Sequence, residues 1–211
     1  MSGYINTHPM HTQTPVMDAA ITHKYGTKSL EYKIKNKLEL QEELGWTPEP
    51  KRPMVCLPAG MSDALGGKLL NEVLPGLLTL PVELLILGKG SSSYGALFTQ
   101  LTKEQGHRVA IIGNDEESIG KMLAAADMAM FFADPAKTPE LVKALSYGCV
   151  PVSPSSALIE NYDQNQESGN AFVYKEETVW HCFAALVRAC ETYRFPFDWR
   201  TIQRHCMESA Q

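Results

Sequence analysis

From Pro53 to the last fifth of the chain, short apolar runs alternate with helical stretches, and no other feature narrows the fold as much. The runs are "MVCLP", "VELLILG", "RVAIIG", "DMAMFFA", "CVPVS" and "NAFVY". Between them lie "KLLNEVLPGLL", "SYGALFTQLTKEQ", "EESIGKMLAAA" and "TPELVKALSYG". Strands this apolar must be covered on both faces, and a helix after each one makes a right-handed crossover, so the sheet is parallel. The expectation is an α/β fold with a doubly wound, Rossmann-like parallel sheet.

The remainder fits around that sheet. Residues 1–27 are polar and aperiodic and read as an extended arm, and residues 28–211 read as one domain ending in two helices. Leu30, Ile34, Leu38 and Leu44 recur at helical spacing, with Ser29 placed to cap the helix and Gly45 to end it. "TPEPKRP" then breaks the chain. The closing helices read as "EETVWHCFAALVRACETY" and, after a break at "RFPFD", "WRTIQRHCMES". In the first of these Trp180, Phe183, Leu186 and Val187 read as core.

Composition excludes several classes. A chain of 211 residues that is 44% hydrophobic can bury a substantial core. Its net charge of -5 comes from interspersed acids and bases, with no basic stripe for nucleic acid or an anionic membrane. Five cysteines, with no CxxC spacing, read as reduced thiols rather than a disulfide framework. No basic start with an apolar block and no long apolar run indicates a signal peptide or a membrane span, so the expected location is the cytoplasm.

The turns after the strands hold the candidate chemistry. Gly88, Lys89 and Gly90 follow a strand and precede a helix, which suits either a residual anion site or a tight turn. Gly60, Gly66 and Gly67 dot the turn after "MVCLP" and admit the same two readings. Asn114, Asp115 and Glu116 suit either a ligand turn or a helix cap. Asp134 and Glu140 are acids at a loop and helix start, where the helix dipole alone favours them. His8, His11 and His23 lack metal-ligand spacing. No nucleophile elbow occurs.

Taken in order, "YGTKSLEYKIKNKLELQEELGW", "LPVELLILGKG", "AAADMAMFFADPAKTPELVKALSYGCVPV", "NAFVYKEETVWHCFAALVRACETY" and the final "IQRHCM" resemble the C-terminal half of bacterial glycogen synthases and plant starch synthases. These are GT-B type glycosyltransferases built of two Rossmann-like domains. The resemblance implies glucose transfer from a nucleotide sugar, usually ADP-glucose, to an α-1,4-glucan in a cleft between the domains, of which this chain matches the nucleotide-holding one.

Matched residue by residue, the resemblance implies a degenerate site. The family's turn of glycine, arginine, leucine, aspartate, two further residues, lysine and glycine stands here as Ala59, Gly60, Met61, Ser62, Asp63, Ala64, Leu65 and Gly66. The cations that bind the diphosphate and stabilise its developing charge are thus replaced by Gly60 and Leu65. Asp134 falls near the family's donor-contacting glutamate, in a loop about one residue shorter. Ser155, Ser156 and Ala157 replace a threonine-glycine-glycine, and Leu123 replaces the aromatic residue beside the base. The corresponding family turn near the nucleotide contains Asn114.

The resulting expectation has no catalytic residue, cofactor or metal. Vestigial ligand contacts fall at Gly60, Gly88, Lys89, Gly90, Asn114, Asp134, Ser155 and Ser156. The domain would act by binding itself or a glycosyltransferase-type partner chain, with weak affinity for ADP or ADP-glucose and with neither nucleic acid nor membrane as partner. The alternative is the nucleotide-binding half of a split or truncated glucosyltransferase, and the blandest is a folded relic without a ligand.

Overall fold

Every residue of β1 (Met54–Leu57) and β2 (Glu83–Leu87) is buried, as is every residue of β4 (Met128–Met130) and β5 (Val150–Pro154). β3 (Val109–Ile112) and β6 (Phe172–Tyr174) form the edges and are partly open. The computed structural model describes residues 14–211, the Lys137 side chain apart. The six strands are all parallel in the order β3-β2-β1-β4-β5-β6, with Cys56 of β1 opposite Leu85 on one side and Ala129 on the other. Helices lie on both sides of the sheet, so the Rossmann-like expectation holds.

The crossovers are α2 (Gly67–Leu77), α3 (Ser92–Glu104), α4 (Glu116–Ala125) and α5 (Pro139–Ser146). The chain closes with α6 (Val179–Tyr193) and α7 (Pro196–Ser209). α7 starts three residues before the "WRT" that marks it in the sequence. The proline that seemed to break the chain occupies the first helical turn, where its missing N–H costs nothing. The phase of α6 also differs from expectation. Its core face is Cys182, Ala185, Leu186 and Ala189, and Trp180 is 81% exposed.

α1 (Glu31–Glu43) runs beneath the N-terminal ends of the strands instead of covering a sheet face. Three of its residues at four-residue spacing, Lys33, Lys37 and Gln41, bond the last turn of α4 and the starts of β1, β4 and β2. Lys33 Nζ donates to Leu123 O at 2.7 Å and Ala124 O at 3.1 Å, just before β4. Lys37 Nζ donates to Asp127 Oδ2 at 2.8 Å and to the Arg52 carbonyl, before β4 and β1. Gln41 Nε2 donates to Glu83 Oε2 at 2.7 Å at the start of β2, and Trp46 Nε1 reaches Gly106 O at 2.8 Å before β3. Gly45, at φ 71°, ends the helix as expected: its N–H bonds Glu42 O and the Trp46 N–H bonds Gln41 O, a Schellman motif. Ser29 does not cap the helix, because its hydroxyl accepts from the Gly26 N–H at 3.0 Å.

Of the expected arm, residues 1–13, with His8 and His11, lie outside the described residues. Residues 14–27 form turns tied to the domain. Tyr147 Oη donates to Asp18 Oδ2 at 2.6 Å, Tyr25 Oη donates to Tyr147 O at 2.8 Å, and Ile21 and Tyr25 are buried. Cys56, Cys149, Cys182 and Cys206 are free and buried, and burial pushes the Cys182 thiol up to about 12. Among the described residues no helix is long and apolar enough to cross a membrane.

Candidate functional site

The strand order reverses between β1 and β4, so the crevice at their C-terminal ends is the place where an open α/β sheet binds ligands. The loops after β1, β2 and β4 meet there. Gly60 has φ 69°, and a Cβ on it would lie 2.1 Å from Lys89 O. Gly90 has φ 122°, and its Cβ would lie 1.8 Å from Met61 O. The two loops are zipped together by Met61 N–H to Lys89 O at 3.0 Å and Ser91 N–H to Met61 O at 3.0 Å. These glycines therefore serve a backbone-to-backbone contact between neighbouring loops.

The rest of the turn is packed in the same manner. A Cβ on Gly66 would lie 2.4 Å from Phe132 O, and one on Gly67 would lie 2.1 Å from Tyr94 Oη. That hydroxyl donates to Asp63 Oδ1 at 2.7 Å, and the hydrogen bond holds the Tyr94 phenol above its usual range. Leu65 is half-buried against the core, and Lys68 points outward from the first turn of α2. No cationic side chain lies between β1 and α2. The crevice lined by Gly60, Leu65, Phe132 and Asp134 holds about 20 Å³, room for roughly one water.

The expected contacts separate into groups. Lys89, about half exposed, pairs with Glu140 of α5, Nζ to Oε1 at 2.9 Å. Glu140 is a partner that sequence reasoning missed, since a first-turn acid has a sufficient explanation in the helix dipole. Asp134 lies at the crevice, but its Oδ1 accepts from the Ala136 N–H at 2.9 Å and caps a 3₁₀ turn. Gly88 sits against Ile112 O, 3.1 Å from an ideal Cβ. Asn114 is exposed beyond the edge strand β3, next to Asp115, which caps α4 through Ser118 N–H at 2.9 Å. The bonds from the Ser118 backbone and hydroxyl hold the Asp115 carboxyl below its usual value.

Ser155 and Ser156 line a separate groove of about 660 Å³ with Lys175 and Arg188, where the Ser156 hydroxyl is buried with no partner among the described residues. Leu123 is in the core, its carbonyl accepting from Lys33 and its side chain 1% exposed, so no base could lie against it. Among the described residues no group of three His, Cys, Asp or Glu side chains could hold a metal.

No family model matches the chain. Among curated proteins it is 28% identical to glycogen synthase 1 of Synechocystis sp. over 216 residues, covering 98% of this chain and 45% of that protein. It is 29% identical to the glycogen synthase of Syntrophotalea carbinolica over 202 residues, covering 92% of the chain and 41% of the relative. Among solved structures, the catalytic domain of starch synthase IV from Arabidopsis thaliana bound to ADP and acarbose superposes with a TM-score of 0.82 at 20% identity. That match covers 92% of this chain and 42% of the other. Along nearly its whole length the chain is similar to glycogen synthases in sequence and to starch synthase IV in fold. It spans less than half the length of these curated relatives. Anabaena HepE in complex with UDP and glucose shares the fold at a TM-score of 0.62 and 17% identity, over 83% of this chain and 47% of that one. The segment "KNKLELQEELG", one of those that carry the resemblance, forms most of α1 and its C-terminal cap, at the end of the sheet away from the crevice.

Proposed function

We propose that this glycogen/starch synthase-like domain is a degenerate, non-catalytic form that acts by binding, either to a second copy or to a glycosyltransferase-type partner chain in the cytoplasm. The observation that carries the reading is the joined pair of loops. Where a phosphate-binding turn needs open backbone and cations, Gly60 and Gly90 lock the β1 and β2 loops together around a crevice of about 20 Å³. Lys89, on the β2 loop of that joined pair, is paired with Glu140. Electrostatic stabilisation of a departing diphosphate is worth several kcal/mol of barrier, on the order of 2.7–4 kcal/mol for one lost donor, so a site without those charges loses most of its rate.

A second reading keeps the chain as the nucleotide-binding half of a glucosyltransferase that uses ADP-glucose and an α-1,4-glucan. The relatives' names and the ADP carried by the starch synthase IV structure favour it. The deciding experiment is incorporation of radiolabelled glucose from ADP-glucose or UDP-glucose into glycogen. The non-catalytic reading expects no incorporation above a protein-free control. Incorporation that Lys89→Ala abolishes would overturn it in favour of the second.

A further inference from the structure

At the foot of the sheet, opposite the crevice, lies a cavity of about 610 Å³, within the size range of small-molecule sites. It opens between Leu30 and Ile34 of α1, the turn at Pro50, and the junction of α6 and α7. One wall is aromatic: Tyr193 and Trp199 meet edge to face with ring centroids 5.1 Å apart. Trp199 is 4% exposed, and its Nε1 is a buried donor with no acceptor among the described residues.

The charge of the lining is one-sided. Asp127 is the acid that lines the cavity, and its Oδ2 already accepts from Lys37 Nζ and from the Met54 N–H, each at 2.8 Å. Lys51, Arg194 and Arg200 also line the cavity and are exposed. Arg194 pairs with Glu191 at 3.3 Å. Lys51 Nζ and the Arg200 guanidinium make no hydrogen bond or ion pair with any described residue. Two unpaired cations beside an aromatic wall, on a chain of net charge -5, form a local field that suits an anion with a ring.

We propose that this cavity is a ligand site separate from the crevice, taking a small molecule with a flat apolar ring against Tyr193 and Trp199 and a carboxylate or phosphate directed to Lys51 and Arg200. The proposal is independent of the non-catalytic reading above. The test is calorimetric titration of the full chain with 1-naphthoate, 1-naphthyl phosphate and the neutral 1-naphthylmethanol, at low and high salt. The expected result is saturable binding of an anion, weakened by salt, with the neutral probe weaker by about tenfold or more, the factor a charged hydrogen bond carries. The two anions decide between carboxylate and phosphate. The paired variant Lys51→Ala with Arg200→Ala should lose that tenfold for the anion alone, while Lys89→Ala changes nothing. Equal binding of the neutral probe, an unaffected double variant with an unchanged melting curve, or no saturable binding of either anion would overturn the proposal. Arg200→Glu gives an independent second test, because charge reversal at an exposed position should abolish anion binding without altering the fold.

Discussion

Lys89 Cβ lies 2.9 Å from the point where a side chain on Gly60 would begin, and Lys89 O lies 2.1 Å from it. The space for a residue-60 side chain is therefore filled by the neighbouring loop. An arginine at the position where the resemblance would place one has no room in this loop packing. Gly60→Arg should not rebuild a phosphate site. It should destabilise the domain by about 1–3 kcal/mol, through a left-handed backbone and a clash with main chain. At this chain length each kcal/mol lowers Tm by about 2–4 °C. Gly95→Ala, in α3 with nothing within 4 Å of its new Cβ, is the control and should be neutral or gain about 0.5–1 kcal/mol. Calorimetric melting of both variants checks the contrast.

The sheet was legible because a strand buried on both faces must be apolar throughout, and "VELLILG" has no other stable home. α1 was legible as a helix, but its role was not. Lys33 and Lys37 look like solvent-facing residues in a sequence, yet both are buried, Lys33 bonded to the last turn of α4 and Lys37 to Asp127 just before β4. Long-range partners such as Asp127 leave no local trace near residue 37. Trp180 is exposed where its spacing reads as core for a related reason: helical phase within a broadly apolar stretch is set by what packs on it, here β5, β6, α2 and α7 around α6. In the crevice, the glycines of residues 60–67 were visible, but a glycine that admits phosphate and one that admits a neighbouring carbonyl have the same sequence signature.

Lys37 and Asp127 form a buried pair at 2.8 Å with both side chains nearly inaccessible. Removing one partner leaves an uncompensated buried charge. Lys37→Met should destabilise by about 3–5 kcal/mol, whereas Lys35→Met, two residues away and exposed, should stay within about 0.5 kcal/mol. Urea unfolding midpoints distinguish the two, and equal effects would show that the pair does not anchor α1.

Glu83 opens β2 wholly buried, and burial raises its carboxyl above the ordinary value against the lowering effect of the Gln41 hydrogen bond and of Lys37 and Arg52. A raised acid in the folded state means that the native chain holds a proton that the unfolded chain releases. This contribution to stability is complete below the unfolded value, near pH 4.3, and is lost as pH rises through the folded one. Relative to Glu83→Gln, which cannot titrate, the parent should lose stability as pH rises from about 4 through the raised folded value. Denaturation midpoints of both proteins across that range test the sign, and a gap that is constant with pH would refute it.

Three large apolar side chains are left in solvent near the closing helices: Trp180 at 81%, Phe197 at 71% and Phe195 at 56% exposure. Trp199, two residues beyond Phe197, is in the core. Exposed aromatics of this size are the residues that anchor interfaces. If the domain self-associates, light scattering should show mass rising with concentration, and Phe195→Ser with Phe197→Ser should lower the association constant by about tenfold or more, as the loss of a hot-spot residue does. A strict monomer at all concentrations would leave only the partner-chain form of the proposed function.

The crevice itself makes the last prediction. A ligand that binds only the folded state stabilises it by RT ln(1 + [L]/Kd), about 2.7 kcal/mol at a hundredfold excess over Kd, which for a chain of this length is a shift of several degrees. With the β1 and β2 loops joined at Met61 and Gly90 and Lys89 held by Glu140, ADP, ADP-glucose and UDP-glucose at millimolar concentration should produce less than about one degree of shift through the crevice. Two variants separate a larger rise through the crevice from one through the cavity at the foot of the sheet. A rise abolished by Arg200→Ala and kept in Lys89→Ala comes from the cavity at the foot of the sheet. A rise abolished by Lys89→Ala and kept in Arg200→Ala would mean that the joined loops open to admit a diphosphate, and the nucleotide-binding reading would then replace the non-catalytic one. Glu140→Gln sharpens the comparison, because it frees Lys89 without touching the glycines: a shift that emerges only in that variant would identify the ion pair, and not the loop packing, as what keeps the crevice closed to phosphate.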